Sequence, residues 1–409
     1  MASHSRIGLR GHFGLNRPNW RIAWHDRGVP LPTATPSLSE LRAAAEANVP
    51  QMVETLEQFV NIESPSHEVE LLTASAHFLA DLMTRLLGTP PAIIESSEGP
   101  HVHWKGGDNA KVLIVGHHDT VFPVGTVANR KFSREGDIVR GPGIFDMKAG
   151  IVQAIYGLSH IREVSQVEIL ITSDEEVGSY TSRALIEERA KACGAVLVLE
   201  PSGNGDALKI ARKGVGTFLV DIAGRASHAG LEPEKGINAL IELAHQVQAI
   251  AAIAKPEVGT TVTPTVATAG TTENVVPAQA QITVDVRVNE VSEKGRVEAA
   301  LAALTPNVPG AKITVSGSIN RPPMHESAAT ELFAVAKRLA DEMGIDNLQG
   351  IAVGGGSDGN FTAAIGVPTL DGFGACGGGA HADTEHVKVS KMAERAALLA
   401  AVTRELITR

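Results

Sequence analysis

A histidine and an aspartate stand two residues apart directly after an apolar run, and this pair is the first feature of the chain that suggests chemistry. His117 and Asp119 follow the segment 112–115, which contains only valine, leucine and isoleucine. Such a run is typical of a buried strand, and open α/β sheets bind ligands beyond the carboxyl ends of their strands. Residues two apart in extended chain share one face. The placement suggests a metal ligand at this strand end, with the carboxylate of Asp119 able to orient the ring of His117. The neighbouring His118 is a rival ligand, and fifteen histidines make a chance His-x-Asp pair plausible.

Acidic residues follow two further apolar runs in the same way. Glu175 and Glu176 come after the run 167–173, and Glu200 comes after the run 196–199. Adjacent glutamates usually belong to a solvated surface. At the end of a buried strand, however, two like charges repel unless a cation or a shared proton offsets them. One carboxylate of such a pair can bind metal while the other activates water and later protonates a leaving group.

Two loop residues complete the set of candidate metal ligands. Asp146 lies in the turn 141–148, and its two carboxylate oxygens could bridge two cations, although aspartate is also a common helix N-cap. His381 lies in the glycine-rich segment 376–383, where a histidine considered alone would be assigned to the surface. The five ligand-capable groups at strand ends and loop tips favour a metal site together more strongly than any of them does alone.

The spacing of apolar residues predicts the elements that position these groups. The first half of the chain alternates strand 112–115, helix 148–161, strand 167–172, helix 182–191 and strand 195–199. This alternation indicates an α/β fold with a mixed, mostly parallel sheet flanked by helices. From residue 215 the order becomes strand, helix, strand, strand, helix, strand, which predicts an inserted α+β domain of the ferredoxin-like type.

We therefore expect four segments. These are a disordered extension (1–36), the first part of a catalytic domain (37–214), the inserted domain (215–324) and the second part of the catalytic domain (325–409). A chain of 409 residues exceeds the size at which a single core stops growing, which agrees with two domains.

Composition argues against several classes of protein. The net charge of −10 argues against a nucleic-acid-binding surface. No apolar stretch approaches the roughly 20 residues of a membrane span. The amino-terminal segment lacks the apolar core of a secretory signal. Only two cysteines occur, far apart in the sequence, which argues against a disulfide framework and favours a reducing, cytoplasmic location.

Six motifs carry a resemblance to a known family. GHHDTV, GPGIFDMKAG, SDEEVGS, LEPS, RASHAG and GGGAHADTE resemble, in order and context, the motifs of the co-catalytic zinc aminopeptidase/deacylase family. That family includes glutamate carboxypeptidase, aminoacylase, acetylornithine deacetylase and peptidase T, and the glutamate carboxypeptidase branch is the most similar. The likeness covers residues 45–405. It implies the zinc-exopeptidase-like fold and two zinc ions per subunit, with cobalt or manganese as alternatives because both occupy similar N/O sites.

The resemblance also implies a role for each residue of the site. The implied ligands are His117 and Glu200 for one ion, Glu176 and His381 for the other, and Asp146 as the bridge between both. Asp119 would orient His117, and Glu175 would be the general base that takes a proton from water and returns it to the amine leaving group.

Four residues are expected to bind substrate. The resemblance implies that His228 reaches across a homodimer, formed through the inserted domain, to the substrate carbonyl or oxyanion, although alone it would be a structural turn residue. Asn274 resembles a substrate-binding asparagine of the family, and Arg321 an arginine that pairs with a free carboxylate in a bidentate manner. Gly356 is predicted to donate a backbone N–H to that carboxylate. Its glycine run lacks the strand, Gly-x-Gly-x-x-Gly and helix order of a nucleotide site.

The leading hypothesis is a cytoplasmic di-zinc hydrolase that cleaves an amide bond next to a free carboxylate, in a small peptide or an N-acyl amino acid. An N-acyl amino acid deacylase, of the acetylornithine deacetylase or succinyl-diaminopimelate desuccinylase type, is the nearest alternative. A non-catalytic metal-binding relative would lack a ligand or the base, and none is missing. A di-metal phosphoesterase would not need Arg321 to recognise a carboxylate.

Overall fold

The computed structural model describes residues 36–409, so that the extension expected at 1–36 lies outside the described residues except for its last member. The helices are α1 (Leu38–Ala47), α2 (Val49–Val60), α3 (Val69–Leu87), α4 (Thr126–Asn129), α5 (Ala149–Leu158), α6 (Arg183–Cys193), α7 (Ala239–Ala251), α8 (Val291–Ala302), α9 (Thr330–Glu342), α10 (Gly359–Ala364) and α11 (Met392–Thr408). Within the described part of the chain, none of these helices combines the length and the apolar character that crossing a membrane requires.

The strands are β1 (Ala92–Ile94), β2 (His101–Lys105), β3 (Val112–His117), β4 (Ser133–Glu135), β5 (Ile138–Arg140), β6 (Val167–Thr172), β7 (Ala195–Val198), β8 (Leu208–Arg212), β9 (Gly214–Ala223), β10 (Thr261–Ala269), β11 (Gln279–Val288), β12 (Lys312–Arg321), β13 (Gly350–Val353), β14 (Thr369–Leu370), β15 (Gly377–Gly378) and β16 (His386–Lys388).

The central sheet has the strand order β1-β2-β6-β3-β7-β14. The pairs β6-β3, β3-β7 and β7-β14 are parallel, whereas β1-β2 and β2-β6 are antiparallel, which confirms the expected mixed, mostly parallel sheet. Residues of β3 alternate between two hydrophobic clusters: Val112 and Ile114 join the cluster that includes α3, α5 and α11, and Leu113 and Val115 join the one that includes α6. Both faces are covered, which is why the strand reads as a continuous apolar run.

The three parallel strands β3, β6 and β7 place their carboxyl ends at one edge of the sheet. His117 pairs with Thr172 in the register of β3 and β6, and Val115 pairs with Val198 in the register of β3 and β7. The residues that follow these strand ends are therefore neighbours in space, although they are far apart in the chain.

A second sheet belongs to a separate unit. Its strand order is β10-β11-β9-β12, all pairs are antiparallel, and the order along the chain is β9, α7, β10, β11, α8, β12. This is the β-α-β-β-α-β arrangement that the apolar spacing predicts. Alternate residues of β9, among them Phe218, Val220 and Ile222, pack with residues of α7 and α8 in a hydrophobic cluster of their own. The limits 215–324 for an inserted domain stay a prediction.

The structure contains a small sheet of short strands that the sequence did not predict. It has the order β15-β16-β5-β4, and each of its strands has only two or three residues. Such short segments, rich in glycine and charged residues, carry no apolar alternation that could reveal them. The strand β5 leads into the turn that carries Asp146, and the loop between β15 and β16 carries His381. This small sheet therefore brings the two loops together.

We predict opposite effects for alanine at two helical glycines. A Cβ at Gly157 of α5 would lie 2.4 Å from the backbone oxygen of Ala396 in α11, so Gly157→Ala should lower the free energy of unfolding by about 1–3 kcal/mol. Gly295 of α8 is exposed, and a Cβ there meets no atom within 4 Å. Gly295→Ala should therefore raise the free energy of unfolding by about 0.5–1 kcal/mol. Urea titration measures both, and a stabilised Gly157→Ala would contradict the close packing of α5 on α11.

Candidate metal centre

His117 is the buried end of β3, and its two ring nitrogens have different surroundings. Nδ1 lies 3.0 Å from the backbone oxygen of Asp119 and 3.4 Å from the Oδ1 atom of its carboxylate. Nε2 lies 3.3 Å from Oδ1 of Asp146 and 3.8 Å from Oε1 of Glu200. With its proton on Nδ1, the imidazole keeps a lone pair on Nε2 that faces carboxylates only, which is the orientation of a metal-binding histidine.

Asp146 lies between the two histidines. Its Oδ1 atom faces Nε2 of His117, and its Oδ2 atom lies 3.3 Å from Nε2 of His381. Asp146 has non-helical dihedral angles (φ −115°, ψ 92°) inside the turn Ile144–Lys148, and its peptide bond to Met147 is cis. A carboxylate whose oxygens face different imidazoles has the geometry of a bridging ligand. Asp146 is not the N-cap of the following helix, because Lys148 occupies the N-cap position of α5.

Glu176 and Glu200 approach this pair from opposite sides. Oε2 of Glu176 lies 3.2 Å from Nε2 of His381, whereas Glu200 lies next to His117. Potential ligand atoms of His117, Asp146 and Glu176 all lie within 4.8 Å of one another, and so do those of His117, Glu175 and Glu200. The pairwise contacts bring the five predicted ligands together, with Glu200 beside His117, Glu176 beside His381 and Asp146 beside both histidines.

These residues fit a pair of divalent cations. Oδ1 of Asp146 and Oε1 of Glu176 are buried and accept no hydrogen bond, which is costly for a carboxylate oxygen. Hydrogen bonds to Asp146 and Glu176 raise the pKa of His381 to about 11. Burial opposes the charged form of His117, but the adjacent carboxylates of Asp119 and Asp146 raise its pKa well above the usual range. Both shifts show that the carboxylates demand positive charge, and imidazole with carboxylate is a donor set that zinc accepts.

Asp119 organises the acidic segment as well as His117. Its Oδ1 atom accepts the backbone N–H of Glu175 and its Oδ2 atom accepts that of Glu176, both at 3.2 Å, while Ser66 donates its hydroxyl to Oδ2 at 2.8 Å. Burial disfavours the carboxylate, yet the hydrogen bond from His117 keeps the pKa of Asp119 below its usual range. The buried carboxylate of Asp119 therefore connects the end of β3 to the acidic segment that follows β6.

Glu175, the predicted base, is buried at the edge of this cluster. Burial raises its pKa well above the usual range, and the nearby Arg321 opposes that shift. Nη2 of Arg321 donates to Oε1 of Glu175 at 2.8 Å, to the Glu175 backbone oxygen at 3.0 Å and to Ser179 at 2.8 Å, and it lies 3.3 Å from Asp358. A carboxylate with a raised pKa that is held in one orientation is suited to accept a proton near neutral pH.

The four predicted substrate residues lie in different places. Arg321, at the end of β12, contacts the acidic cluster directly, and the backbone oxygen of the adjacent Gly356 accepts a hydrogen bond from Arg212 at 3.1 Å. His228 and Asn274 are exposed on loops of the second sheet, where the Asn274 backbone oxygen accepts the N–H of Ala229. Within residues 36–409, neither has a hydrogen bond or ion pair to a metal-site side chain. Nδ1 of His228 accepts two backbone N–H groups at 3.1 Å, which places its proton on Nε2.

Sequence reasoning missed three buried residues that hold the ligands. Arg212 donates to Glu200 at 3.0 Å and to Asp371 at 2.7 Å, and Asp358 ion-pairs with Arg321. Glu385 accepts backbone N–H groups from the turn that carries Asp146. Arg212 lies at the end of an unpredicted strand, so only its charge next to an apolar run could have drawn attention to it. Asp358 and Glu385 lie inside the glycine-rich motifs already singled out.

Comparison with known proteins identifies similar chains. The model of "Peptidase family M20/M25/M40" matches residues 113–405. Carboxypeptidase G2 of Pseudomonas sp. (strain RS-16) is 31% identical over 384 residues, covering 89% of this chain and 91% of that protein. A succinyl-diaminopimelate desuccinylase of Stenotrophomonas maltophilia is 25% identical over 70% of this chain and 81% of its own. The M20 family metallo-carboxypeptidase Sso-CP2 of Sulfolobus solfataricus has a similar fold, with a TM-score of 0.70 at 18% identity over 88% of this chain and 100% of its own.

His118, next to the ligand His117, should make the protein sensitive to acid. It is fully buried between the Ser75 hydroxyl and the Pro100 backbone oxygen, and burial lowers its pKa from 6.5 to about 4. Above pH 6.5 both folded and unfolded chains hold it neutral. Between pH 6.5 and pH 4 only the unfolded chain binds the proton. As the pH falls through this range, the free energy of unfolding of the wild type should therefore decrease by about 3 kcal/mol more than that of His118→Asn. Urea titrations at several pH values measure this difference, and parallel curves for the two proteins would contradict it.

Proposed function

The protein belongs to peptidase family M20/M25/M40 and is a metal-dependent hydrolase of peptide or linear amide bonds, and we propose that it uses two zinc ions to cleave an amide bond next to a free carboxylate. The observation that carries this proposal is the position of Asp146, whose two oxygens face the Nε2 atoms of His117 and His381. Glu176 and Glu200 stand beside these histidines on the two sides of the bridge. Cobalt or manganese would suit the same donor set.

The side chains around this centre have complementary tasks. Zinc bound here would supply Lewis acidity toward the scissile carbonyl and lower the pKa of water. Glu175 accepts the proton of the attacking water and returns it to the amine leaving group. Asp119 holds His117 in the tautomer that leaves Nε2 free, and it holds the backbone of Glu175 in place.

Recognition of a carboxylate next to the scissile bond is proposed for Arg321. All the hydrogen bonds it makes within the described residues use Nη2, whereas Nε is buried without a partner and Nη1 makes no hydrogen bond. The guanidinium therefore retains donors for a substrate carboxylate, which is the group a carboxypeptidase or an N-acyl amino acid hydrolase must recognise. Gly356, beside Arg321, is proposed to donate its backbone N–H to the same carboxylate, and Asn274 is proposed to bind the substrate.

The similar proteins support two candidate substrate classes. Carboxypeptidase G2, at 31% identity over 89% of this chain, supports release of a C-terminal amino acid from a small peptide. The desuccinylases support the alternative, removal of an acyl group from an amino acid, at lower identity. Both reactions break an amide bond next to a carboxylate. A cytoplasmic location remains part of the proposal, and the two cysteines of the chain are free and buried, as that location favours.

A homodimer formed through the second sheet is also proposed. His228 is exposed, carries its proton on Nε2 and has no contact with the metal-site side chains of its own subunit in the described chain. An N–H of this kind is a suitable donor to a developing oxyanion. We therefore propose that it serves the site of the partner subunit.

We predict that activity depends on metal and is specific for amides. A chelator should abolish turnover of N-acyl amino acids and dipeptides, zinc should restore it, and phosphate monoesters should not be hydrolysed, because Arg321 selects a carboxylate. Glu175→Gln should lower kcat by about 10²–10⁴-fold while the protein still binds zinc, since only the proton acceptor is lost. Mass spectrometry verifies metal content. Turnover by metal-free protein, or faster hydrolysis of phosphate esters than of amides, would refute the proposal.

We predict that two inactive variants restore activity when mixed. Glu175→Ala removes the base and His228→Ala removes the oxyanion donor, so each alone should be inactive. Random exchange makes half of the dimers hybrids with one intact site, which should give about a quarter of wild-type activity. Mass spectrometry of isotope-labelled subunits confirms the exchange. If hybrids form and activity stays at the level of the single variants, the cross-subunit role of His228 is wrong.

A further inference from the structure

Glu385 is a buried carboxylate that lies between the two loops of the candidate metal centre. It comes four residues after His381, at the end of the loop between β15 and β16, and only 1% of it is exposed. Its Oε1 atom accepts the backbone N–H groups of Phe145 at 2.8 Å and Asp146 at 2.9 Å, and its Oε2 atom accepts that of Gly143 at 3.0 Å. One side chain of the His381 loop thus binds three N–H groups of the Asp146 turn.

The turn needs such an external acceptor because its own backbone is irregular. Gly143 has a left-handed conformation (φ 68°), and neither Asp146 nor Met147 has helical dihedral angles. The N–H groups of this segment therefore cannot all bond to helical carbonyls, and buried N–H groups without acceptors are strongly disfavoured. On the other side of the turn, Nζ of the buried Lys148 donates to the backbone oxygens of Phe59 at 3.2 Å and Ile62 at 2.6 Å. Glu385 and Lys148 hold the turn from its two ends.

We propose that Glu385 is a positioning residue that fixes Asp146 relative to His381 and so sets the geometry of the metal pair. This inference rests on the proposed two-metal function. Both carboxylate oxygens of Glu385 are already used by N–H groups, so it acts through the backbone of Asp146 and is not itself a ligand. Because it belongs to the loop of one ligand and binds the turn of another, its loss changes their separation rather than the chemistry of either.

A glutamine at this position tests the role with little change in volume. If the amide oxygen keeps the N–H groups of Phe145 and Asp146, the amide NH₂ faces the N–H of Gly143, and two donors oppose each other. Glu385→Gln should therefore weaken zinc binding by about 10-fold and Glu385→Ala by up to about 100-fold, the range measured when groups that orient metal ligands are removed. Competition with a chromophoric chelator measures affinity, and the visible spectrum of the cobalt-loaded protein reports the coordination geometry.

The chain offers a matched control in Glu242. It is a fully buried glutamate of α7 whose Oε2 atom also accepts two backbone N–H groups, those of Asn307 at 2.9 Å and Val308 at 2.6 Å. Helix α7 packs on the second sheet, away from the candidate metal centre. Glu242→Gln should lower the melting temperature without changing zinc affinity or the cobalt spectrum. Near-ultraviolet circular dichroism verifies folding, and Glu385→Gln alone carries the test if the alanine variant does not fold.

The outcomes separate this inference from the proposed function. A weakened affinity and an altered cobalt spectrum in Glu385→Gln, with both unchanged in Glu242→Gln, support the positioning role. Zinc affinity of Glu385→Gln within twofold of wild type, or an equal loss in the Glu242→Gln control, overturns it while leaving the hydrolase intact. A wild-type protein that binds no zinc, cobalt or manganese would instead refute the proposed metal centre itself.

Discussion

The rest of the site depends on one electrostatic constraint. Several buried carboxylates lie close together, and their mutual repulsion must be offset. Asp146, Glu176 and Glu200 all lie within 4 Å of an imidazole nitrogen, and burial raises the pKa of both glutamates. Like charges at such distances are compatible with a folded protein only if positive charge lies between them or a proton is shared. Arg212 provides some of it for Glu200. Asp146 and the two histidines have the arrangement that the proposed cations require.

The chain meets this constraint with a second set of buried carboxylates that bind backbone rather than metal. Asp119 accepts the N–H groups of Glu175 and Glu176, and Glu385 accepts three N–H groups around Asp146. Each of them fixes the direction of a ligand by fixing the main chain that carries it. A side chain held in this way needs little rearrangement to bind a metal.

The second sheet is joined to the metal centre through the end of its last strand. Arg321 reaches Glu175 and Asp358, and Asn320 beside it donates to the backbone oxygen of Gly178 at 2.7 Å. The unit that carries the exposed His228 is therefore connected to the proposed base by the arginine proposed to bind substrate. One guanidinium therefore contacts the proposed base and carries the donors proposed for the substrate carboxylate.

Local sequence patterns were sufficient for much of this protein, because the period of apolar residues reports secondary structure directly. The strand β6 has the predicted bounds, 167–172, and the candidate ligands His117, Glu176 and Glu200 lie at or just after strand ends that parallel pairing makes neighbours. Only the tertiary structure determines which oxygen faces which imidazole, that Arg321 binds Glu175, and that Glu385 holds the Asp146 turn. The Glu385 contact joins residues 242 positions apart, and the strands that bring the two loops together have only two or three residues each. Segments so short have no periodic signal, and a polar contact across such a separation depends on how the surrounding elements pack.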